Sequence, residues 1–291
     1  MVTLVQAWTG ARDRLKAAGL ASPAIDARLL LEAAAGASRA DILNDPYRPL
    51  DDAQTEALDG YLARRARREP ISHILGRKGF WSLMLGVSSA VLTPRPETEL
   101  VVETALKGLE DAQAARVLDL GVGSGAILLA ILAERPAARG LGVEISEEAL
   151  AVARDNAASL GLAGRAAFLR GDWTFGLDGD SFELVVCNPP YIASGEIEQL
   201  EPEVRDHEPR VALDGGPDGL DAYRRLAPEI LRVLAPGGRF VLETGAGQGA
   251  EVRALLEAAG GQQIEVLKDL AGHDRVVAGA KKPLGITADN R

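Results

Sequence analysis

From residue 116 onward the chain alternates between short apolar segments and longer amphipathic segments, and this alternation constrains the fold most strongly. The short segments, rich in Val, Ile, Leu and Phe, are typical of buried strands, and the segments between them have apolar residues at helical spacing. The strand segments are RVLDLG, GLGVEI, AAFLRGD, FELVVCN, GRFVLET, QIEVLKDL and DRVVAGA. Such alternation predicts an α/β protein with a mainly parallel sheet covered on both faces. Only AGH separates the last two strands, so we expect an antiparallel hairpin at one edge of the sheet.

The chain is expected to divide into four parts. Residues 1–78 are predicted to form a small helical domain, in which LVQAWTGARDRLKAAGL, SPAIDARLLLEAAAG and DDAQTEALDGYLARRARREP are the helices and Ser22 is a candidate N-cap. Residues 79–93 are expected to form a β-hairpin or an extended linker. Residues 94–280 form the α/β domain, and residues 281–291 are expected to be a disordered tail.

Composition and charge argue against several classes of protein. The 291 residues are 47% hydrophobic, enough for a globular core, with no apolar run that predicts a membrane span and no signal-peptide pattern. The net charge of −10 argues against a protein that coats nucleic acid nonspecifically. The single cysteine, Cys187, is expected to be a small core residue in a protein of the reducing cytoplasm. Cys and His are not clustered, so no metal site is expected.

A glycine-rich turn follows the first strand of the alternating region. In VLDLGVGSGAI, Gly121, Gly123 and Gly125 remove side chains where a ligand has to approach the backbone. Val122 and Ser124 lie between these glycines. The run satisfies the dinucleotide fingerprint G-x-G-x-x-G/A, but this signal is weak alone because many loops contain three glycines.

Residues at the ends of the neighbouring strands make the pattern more specific. Glu144 ends the second strand, where an acid can accept hydrogen bonds from both ribose hydroxyls. Asp172 and Trp173 follow the third strand, where the carboxylate could accept from an adenine amino group and the indole could form an apolar wall. Together they predict an adenosine-containing cofactor, either NAD or S-adenosylmethionine. Asp119 favours the latter, because its carboxylate could orient the loop or contact a cationic cofactor, although it could also simply fix the turn.

The segment VVCNPPYI ends the fourth strand, which is expected beside the first strand. Pro189 and Pro190 cannot continue a strand, so Asn188 and Tyr191 are expected on a stiff turn at its carboxyl end. The side-chain carbonyl of Asn188 and the backbone carbonyl of Pro189 could each accept one N–H of a planar amino group, with Tyr191 packed on that group. Such fixed acceptors would aim the nitrogen at a sulfonium methyl group without a base. The segment therefore predicts N-methylation.

With these motifs in place, the chain resembles the HemK/PrmC family of S-adenosylmethionine-dependent N5-glutamine methyltransferases, which act on class 1 peptide chain release factors. The resemblance covers residues from about 15 to about 280 and is carried by EPISHILGRKGFW, LTPRPETE, VLDLGVGSGAI, GDW, NPPYI, EVRDHEPRVALDGGPDGLDAYRRL and KDLAGHDRVV. NPPY alone is shared with DNA and RNA amino methyltransferases. Its combination with PRPETE and EVRDHEPRVALDGG is specific to this family.

The resemblance implies a seven-stranded Rossmann-like methyltransferase sheet, mainly parallel with an antiparallel C-terminal hairpin, and a small all-helical N-terminal domain that helps to grip the release factor. It implies that residues 121–125, Glu144, Trp173 and Asn188 contact S-adenosylmethionine. It also implies that residues 188–191 hold the glutamine of a GGQ loop, which is the methyl acceptor.

Four positions depart from the usual family pattern. Val122 replaces a common threonine, Glu144 a common aspartate, His207 a common aromatic residue, and Thr93 a common apolar residue. Glu144 keeps the carboxylate, so the ribose role is retained. His207 is expected to pack within its loop rather than to act as a base.

Arg95 and a cluster of four arginines each have two competing interpretations. Arg95 is expected in the substrate cleft, contacting a carboxylate or the release factor backbone, with a structural ion pair to Glu97 or Glu99 as the alternative. A basic cluster in the third helix is expected to be a solvated face, with contact to a partner or RNA as the alternative. Its members are Arg64, Arg65, Arg67 and Arg68.

Three other functions remain open from the sequence. Methylation of an exocyclic amino group of DNA or RNA uses the same NPPY chemistry, but the acidic balance and the lack of an obvious base-reading domain disfavour it. A protein that binds the cofactor and a translation partner without turnover is disfavoured by the intact glycine loop and NPPY. An NAD dehydrogenase is the most distant alternative, because no histidine has an obvious acid–base role.

Overall fold

Helices occupy the first part of the chain and alternate with strands in the rest, as the apolar spacing predicts. The computed structural model describes residues 1–109 and 114–283. The helices, in chain order, are α1 (Leu4–Ala17), α2 (Pro23–Ala35), α3 (Arg39–Asn44), α4 (Asp52–Ala66), α5 (Ile71–Leu75), α6 (Glu99–Lys107), α7 (Ala126–Glu134), α8 (Glu147–Ser159), α9 (Pro202–Arg205), α10 (Asp221–Val233) and α11 (Gly249–Ala258). The strands are β1 (Arg77–Phe80), β2 (Leu83–Gly86), β3 (Arg116–Leu120), β4 (Arg139–Glu144), β5 (Ala166–Arg170), β6 (Phe182–Cys187), β7 (Leu234–Glu243), β8 (Gln262–Lys268) and β9 (Asp274–Ala280).

The chain divides into two units. The first contains Met1–Arg77 together with Glu201–His207, and the second contains Lys78–Leu200 and Glu208–Arg291. The segment Glu201–His207, which includes α9, therefore belongs to the helical unit although it lies far along the chain. The linear pattern of the sequence does not predict this assignment.

The helical unit begins its helices with polar caps. At the start of α1, the Thr3 hydroxyl accepts from the Gln6 backbone N–H while the Gln6 side chain accepts from the Thr3 N–H, and α3 and α4 begin with the same reciprocal arrangement. Ser22 occupies the N-cap position of α2, as predicted, but its side chain makes no capping bond. Helices α3 and α5 were not predicted, because helices of 6 and 5 residues are too short to show a periodic apolar face.

The arginine cluster makes ion pairs within the helical unit, and the expectation of a solvated face is wrong for Arg65, which is buried. Arg65 is buried and pairs with Asp26 at 2.8 Å and Glu203 at 3.0 Å. Arg68 also pairs with Glu203, at 3.3 Å. Arg64 pairs with Glu69. Burying a charge is costly unless it is paired, and these partners supply the pairing.

A two-stranded hairpin, β1 and β2, opens the second unit. Of the two expectations for residues 79–93, the structure shows a hairpin, but it spans residues 77–86, and residues 87–93 contain no strand. Asn156 of α8 holds this hairpin: its Oδ1 accepts from Gly86 N at 2.7 Å, and its Nδ2 donates to Gly86 O at 2.9 Å. The same Nδ2 donates to Ser124 O at 2.8 Å, so one buried side chain links the hairpin to the glycine-rich loop.

Over the described residues, the main sheet has seven strands in the order β5-β4-β3-β6-β7-β9-β8. The pairs from β5 to β7 are parallel, and β9 is antiparallel to both β7 and β8. This confirms the predicted α/β fold with its antiparallel C-terminal hairpin. Because β3 has β4 on one side and β6 on the other, the strand order reverses at β3. The carboxyl ends of β3, β4 and β6 therefore meet at one edge, where open α/β sheets bind ligands.

Successive residues of the central strands enter two different cores, which is the pattern of a sheet covered on both faces. Val117 and Val186 belong to one apolar cluster, whereas Leu118 and Val185 belong to the other. Cys187 is fully buried in the second cluster, as expected of a small core residue. Burial raises the pKa of its thiol well above the usual range, so it stays protonated.

The end of the second unit extends past the last strand. The expected disordered tail begins at residue 281, yet Lys281 is held by hydrogen bonds. Its backbone N–H donates to Gly238 O at 2.8 Å, and its ammonium group contacts Asp180 at 2.5 Å and Leu234 O at 2.8 Å. Residues 284–291 of the expected tail lie outside the described residues. None of the helices in the described part of the chain is long and apolar enough to cross a membrane.

Candidate active site

A cleft of about 470 Å³ lies at the carboxyl ends of β3, β4 and β6. It brings together most of the residues that the sequence predicts. The lining residues among them are Arg95, Asp119, Gly121, Val122, Gly123, Ser124, Glu144, Asp172, Trp173, Asn188 and Pro190. Within the described chain, three predicted residues are not part of the lining: Gly125, Pro189 and Tyr191.

The glycine-rich loop turns the chain from β3 into α7. Gly121, Gly123 and Gly125 all have positive φ, at 72°, 52° and 84°, a conformation that side chains other than glycine rarely adopt. Gly125 is the N-cap of α7, and a Cβ there would lie 2.9 Å from Leu129 Cδ1, so it serves close packing of the helix rather than the lining. The glycines are therefore required by the turn itself.

Glu144 fixes the loop from the neighbouring strand. Its Oε2 accepts from Gly123 N at 3.1 Å, and its Oε1 accepts from Ile145 N at 2.9 Å and Ser146 N at 3.2 Å. Each carboxylate oxygen can accept further hydrogen bonds, so Glu144 can hold the loop and still accept from a ligand.

Asp119 is a buried acid in the cleft wall. Its Oδ2 accepts from Leu128 N, in the first turn of α7, at 3.2 Å. Among the described side chains, its Oδ1 is a buried oxygen with no hydrogen-bond partner. Burial, with a smaller effect from Glu144, raises the pKa of Asp119 to about 7. A buried acid with an unsatisfied oxygen suits a cationic or hydrogen-bond-donating ligand.

Trp173 and Asp172 follow β5 at the side of the cleft. Trp173 has a positive φ of 54°, and its Cζ3 would be 3.4 Å from a Cβ on Gly121, so the indole packs against the glycine loop. Asp172 pairs with Arg225 of α10 at 2.5 Å, and about half of its side chain is exposed. One Asp172 oxygen is therefore already engaged by an arginine.

Asn188 stands at the end of β6 and is connected to residues far away in the sequence. Its Nδ2 donates to Thr98 Oγ1 at 3.4 Å. The Thr98 hydroxyl donates to Glu243 Oε2 at 2.6 Å, and the Tyr191 hydroxyl donates to Glu243 Oε1 at 3.2 Å. Tyr191 is thus turned towards Glu243 and the second core rather than lining the cleft.

The Asn-Pro-Pro-Tyr turn is also held through its backbone. The Gln248 side chain donates to Tyr191 O at 3.0 Å and accepts from Gly245 N at 3.1 Å. Gly215 and Gly219 approach the turn closely: a Cβ would lie 2.8 Å from Pro190 O at the first and 2.3 Å from Tyr191 O at the second. Two of the three glycines of the DGGPDG segment are therefore explained by contact with this turn.

Four residues that support the site are not among the predicted ones: Thr98, Glu243, Asn156 and Gln248. For Glu243 a signal was present, because it ends a strand, β7, that lies beside β6 in a sheet whose ligand edge had been predicted. Thr98 lies in the LTPRPETE motif, but its partners Asn188 and Glu243 are remote along the chain. Asn156 and Gln248 reach the loop and the turn through partners that are equally remote.

Arg95 lines the cleft and takes a carboxylate partner, but neither of the two considered from the sequence. Its guanidinium contacts Glu208 Oε2 at 2.6 Å. Glu208 is buried, and its Oε1 accepts from Thr93 N at 3.3 Å. The ring Nε2 of His207 lies 3.2 Å from Arg67 O at the end of α4, so His207 contacts the helical unit rather than only its own loop.

The chemistry of these residues fits an adenosine-containing cation. The loop of small residues, the acids Asp119 and Glu144, and the Trp173 ring supply close backbone approach, negative charge and an apolar wall in one cleft. S-adenosylmethionine has groups that match these features, because it carries a ribose diol, an ammonium group and a sulfonium centre.

Comparisons with known proteins agree with this chemistry. The PrmC N-terminal domain family matches residues 6–76, and the Methyltransferase domain family matches residues 111–279. The release factor glutamine methyltransferase of Caulobacter vibrioides is 63% identical over 283 residues, covering 97% of this chain and 98% of that protein. The protein of the same name from Rhodospirillum rubrum is 47% identical, covering 94% of this chain and 83% of that protein. The chain therefore belongs to the release factor glutamine methyltransferase family and is an S-adenosylmethionine-dependent enzyme.

Proposed function

We propose that this protein transfers a methyl group from S-adenosylmethionine to the side-chain amide nitrogen, N5, of the glutamine in the GGQ motif of class 1 peptide chain release factors. The observation that carries the proposal is the position of Asn188. Its amide lines the same cleft as the glycine loop, at the carboxyl end of the strand next to that loop. An amide acceptor beside a cofactor loop is suited to hold an N–H group for methylation.

The cofactor half of the cleft is assigned to the loop and its acids. Backbone groups of residues 121–124 would approach the cofactor, Glu144 would accept from the ribose, and Asp119 would face its positive charge. Trp173 and Asp172 would border the adenine. Bound S-adenosylmethionine supplies an electrophilic methyl group on a sulfonium sulfur.

The substrate half is assigned to the Asn-Pro-Pro-Tyr turn. Asn188 Oδ1 and the Pro189 backbone carbonyl would each accept one N–H of the glutamine amide, which fixes the plane of that amide and the direction of its nitrogen lone pair. These acceptors also favour the positive charge that develops on nitrogen, since they are oriented before the reaction. Pro190 and Tyr191 keep the turn rigid, so little reorganisation is needed.

The remaining parts of the proposal concern the protein partner. The helical unit, residues 1–78 in the sequence analysis, would help to grip the release factor, and Arg95 would contact the substrate from the cleft wall. The cytoplasm is the proposed place of action. The net charge of −10 supports a protein partner over stable binding to nucleic acid.

Transfer of radiolabel from S-adenosylmethionine tests the function. The purified protein is offered a class 1 release factor, the same factor with its GGQ glutamine changed to alanine, and duplex DNA. We expect label on the unaltered factor alone. Label on DNA would contradict the substrate but keep the amino-methylation chemistry, whereas label nowhere, with cofactor binding demonstrated, would contradict enzymatic transfer.

A further inference from the structure

The amide of Asn188 is backed by a short chain of polar groups that ends at a buried carboxylate. The chain runs from Asn188 Nδ2 to Thr98 Oγ1 over 3.4 Å, and from the Thr98 hydroxyl to Glu243 Oε2 over 2.6 Å. Thr98 and Glu243 are 4% and 1% exposed. Water therefore has little access to replace either partner, and each group depends on the others for its hydrogen bonds.

The Glu243 carboxylate sets the direction of both hydrogen bonds that connect Asn188, Thr98 and Glu243. An ionised carboxylate only accepts, so the single hydrogen of the Thr98 hydroxyl is committed to Glu243. Thr98 Oγ1 can then only accept from Asn188, which requires the NH₂ group of Asn188 to face Thr98. The other end of the amide, Oδ1, is left for the cleft.

The opposite orientation of Asn188 carries a cost. If Oδ1 faced Thr98, the hydroxyl would have to donate to it, and the buried Glu243 oxygen would lose a charge-assisted hydrogen bond. The other Glu243 oxygen accepts from Tyr191, and the Tyr223 hydroxyl donates to the Glu243 backbone carbonyl at 2.9 Å, so the residue is fixed on both sides. Burial raises the pKa of Glu243 to about 6, which leaves the carboxylate ionised at neutral pH.

We propose that Thr98 and Glu243 are positioning residues for methyl transfer, which hold the Asn188 amide with its carbonyl oxygen towards the substrate glutamine. This inference rests on the proposed function for its kinetic consequence. The orientation of Asn188 itself is a property of the protein without substrate. Both residues are assigned a role through Asn188: Glu243 lies behind the cleft, and Thr98 lines it beside Asn188.

Replacing the Thr98 hydroxyl tests the kinetic consequence. Thr98→Val keeps the shape of the side chain but removes the acceptor for Asn188, and we expect the single-turnover rate to fall by about 10²-fold, as for other small misplacements of reacting groups. The Kd for S-adenosylmethionine should stay at the wild-type value, and Thr98→Ser should restore the rate. Thr104→Val is the matched control, because Thr104 is also buried, lies on α6, and does not line the cleft.

A spectroscopic measurement tests the orientation without any substrate. In protein labelled at asparagine, the side-chain amide signal of Asn188 is assigned by its loss in Asn188→Ala. We expect this signal to shift in Thr98→Val, to return in Thr98→Ser, and to be unchanged in Thr104→Val. An unchanged signal and an unchanged rate in Thr98→Val would overturn the inference. If wild-type protein does not label a release factor but the signal responds as expected, the proposed function fails, and only the orientation of Asn188 by Thr98 and Glu243 stands.

A double variant tests whether Thr98 and Glu243 act as one unit. Glu243→Met removes the acceptor while keeping a side chain of similar length, so the Thr98 hydroxyl is free to donate to Asn188. We expect the double variant Thr98→Val/Glu243→Met to be no slower than the slower single variant, because both changes disrupt the same series of hydrogen bonds to Asn188. Rate losses that multiply would contradict a shared action through Asn188.

Discussion

The two halves of the cleft are built in different ways. In the cofactor half the supporting hydrogen bonds are short-range: Asp119 and Leu128 are 9 residues apart, and Gly123 and Glu144 are 21 apart. In the substrate half, Asn188 and Thr98 are 90 residues apart, and Thr98 and Glu243 are 145 apart. The cofactor half is built from a strand, a turn and a helix that are close in sequence. The substrate half forms only when remote segments of the chain have come together around the sheet.

This difference predicts separable functions. The local half should determine how tightly the cofactor binds, whereas the assembled half should determine how fast the methyl group moves. Substitutions on the two sides should therefore change different measured quantities.

The largest expected effect is in the assembled half. Asn188→Ala removes one of the two acceptors for the glutamine amide, and we expect turnover to fall by about 10²- to 10³-fold, the range found when a preorganised group at a reacting centre is removed. Cofactor binding should remain close to wild type in calorimetric titration. Turnover close to wild type in this variant would disprove the role of Asn188.

A second effect concerns the buried acid of the local half. Burial raises the pKa of Asp119 from 3.8 to about 7, so the folded protein binds more protons than the unfolded chain between these values. The contribution of this group to stability is present below 3.8 and is lost as pH rises through about 7. Asp119→Asn keeps an acceptor for Leu128 N without the buried charge.

We therefore expect Asp119→Asn to raise the free energy of unfolding of the cofactor-free protein, and to do so by roughly 2–3 kcal/mol more at about pH 8 than at about pH 5. Urea unfolding at the two pH values measures the difference. The same variant should bind S-adenosylmethionine less tightly. A stabilisation independent of pH would show that Asp119 is not the group that titrates.

These cases show which parts of the site a sequence can predict. Strand, glycine turn and helix start are adjacent in the chain, so the motif that identifies the cofactor loop also predicts its geometry, and the expected place of the fourth strand beside the first puts Asn188 next to that loop. Thr98 lies in the LTPRPETE motif and Glu243 ends a predicted strand, but nothing local in the sequence pairs them with each other or with Asn188, because these contacts join segments that are remote along the chain. The same reason applies to Glu208 as the partner of Arg95 and to the place of residues 201–207 in the helical unit.

A smaller effect is expected from the second acid of the local half. Glu144→Ala removes the acceptor for Gly123 N and the proposed ribose partner, and the loss of about 1.5 kcal/mol for charge-assisted hydrogen bonds corresponds to roughly tenfold weaker cofactor binding. At saturating cofactor the transfer rate should return to wild type. An unchanged Kd would mean that the ribose is held elsewhere.

The smallest effect is the pH dependence of the assembled half. The pKa of Glu243 is raised by burial from 4.5 to about 6, against the lowering effects of the Thr98 hydroxyl, Arg275 and the Tyr191 hydroxyl, while Glu97 raises it. Protonation would turn one Glu243 oxygen into a donor and release the Thr98 hydroxyl from its fixed direction.

We therefore expect the single-turnover rate at saturating cofactor to fall to about half its value at neutral pH when the pH is lowered to about 6, where half of Glu243 is protonated. In Glu243→Gln this pH dependence should be absent. If the wild-type protein and Glu243→Gln lose rate equally at acidic pH, a group other than Glu243 causes the loss. For stability the sign is opposite, since the contribution of Glu243 is present below 4.5 and is lost as pH rises through about 6.

The most direct test of the division between the two halves is a paired measurement on Asn188→Ala and Glu144→Ala. For each variant, the Kd for S-adenosylmethionine and the single-turnover rate of label transfer to a release factor at saturating cofactor are measured on the same preparation. Our account predicts that Asn188→Ala loses rate and keeps the Kd, while Glu144→Ala weakens the Kd and keeps the rate. If both quantities change together in both variants, the cleft acts as one unit, and the division into a binding half and a transfer half is wrong.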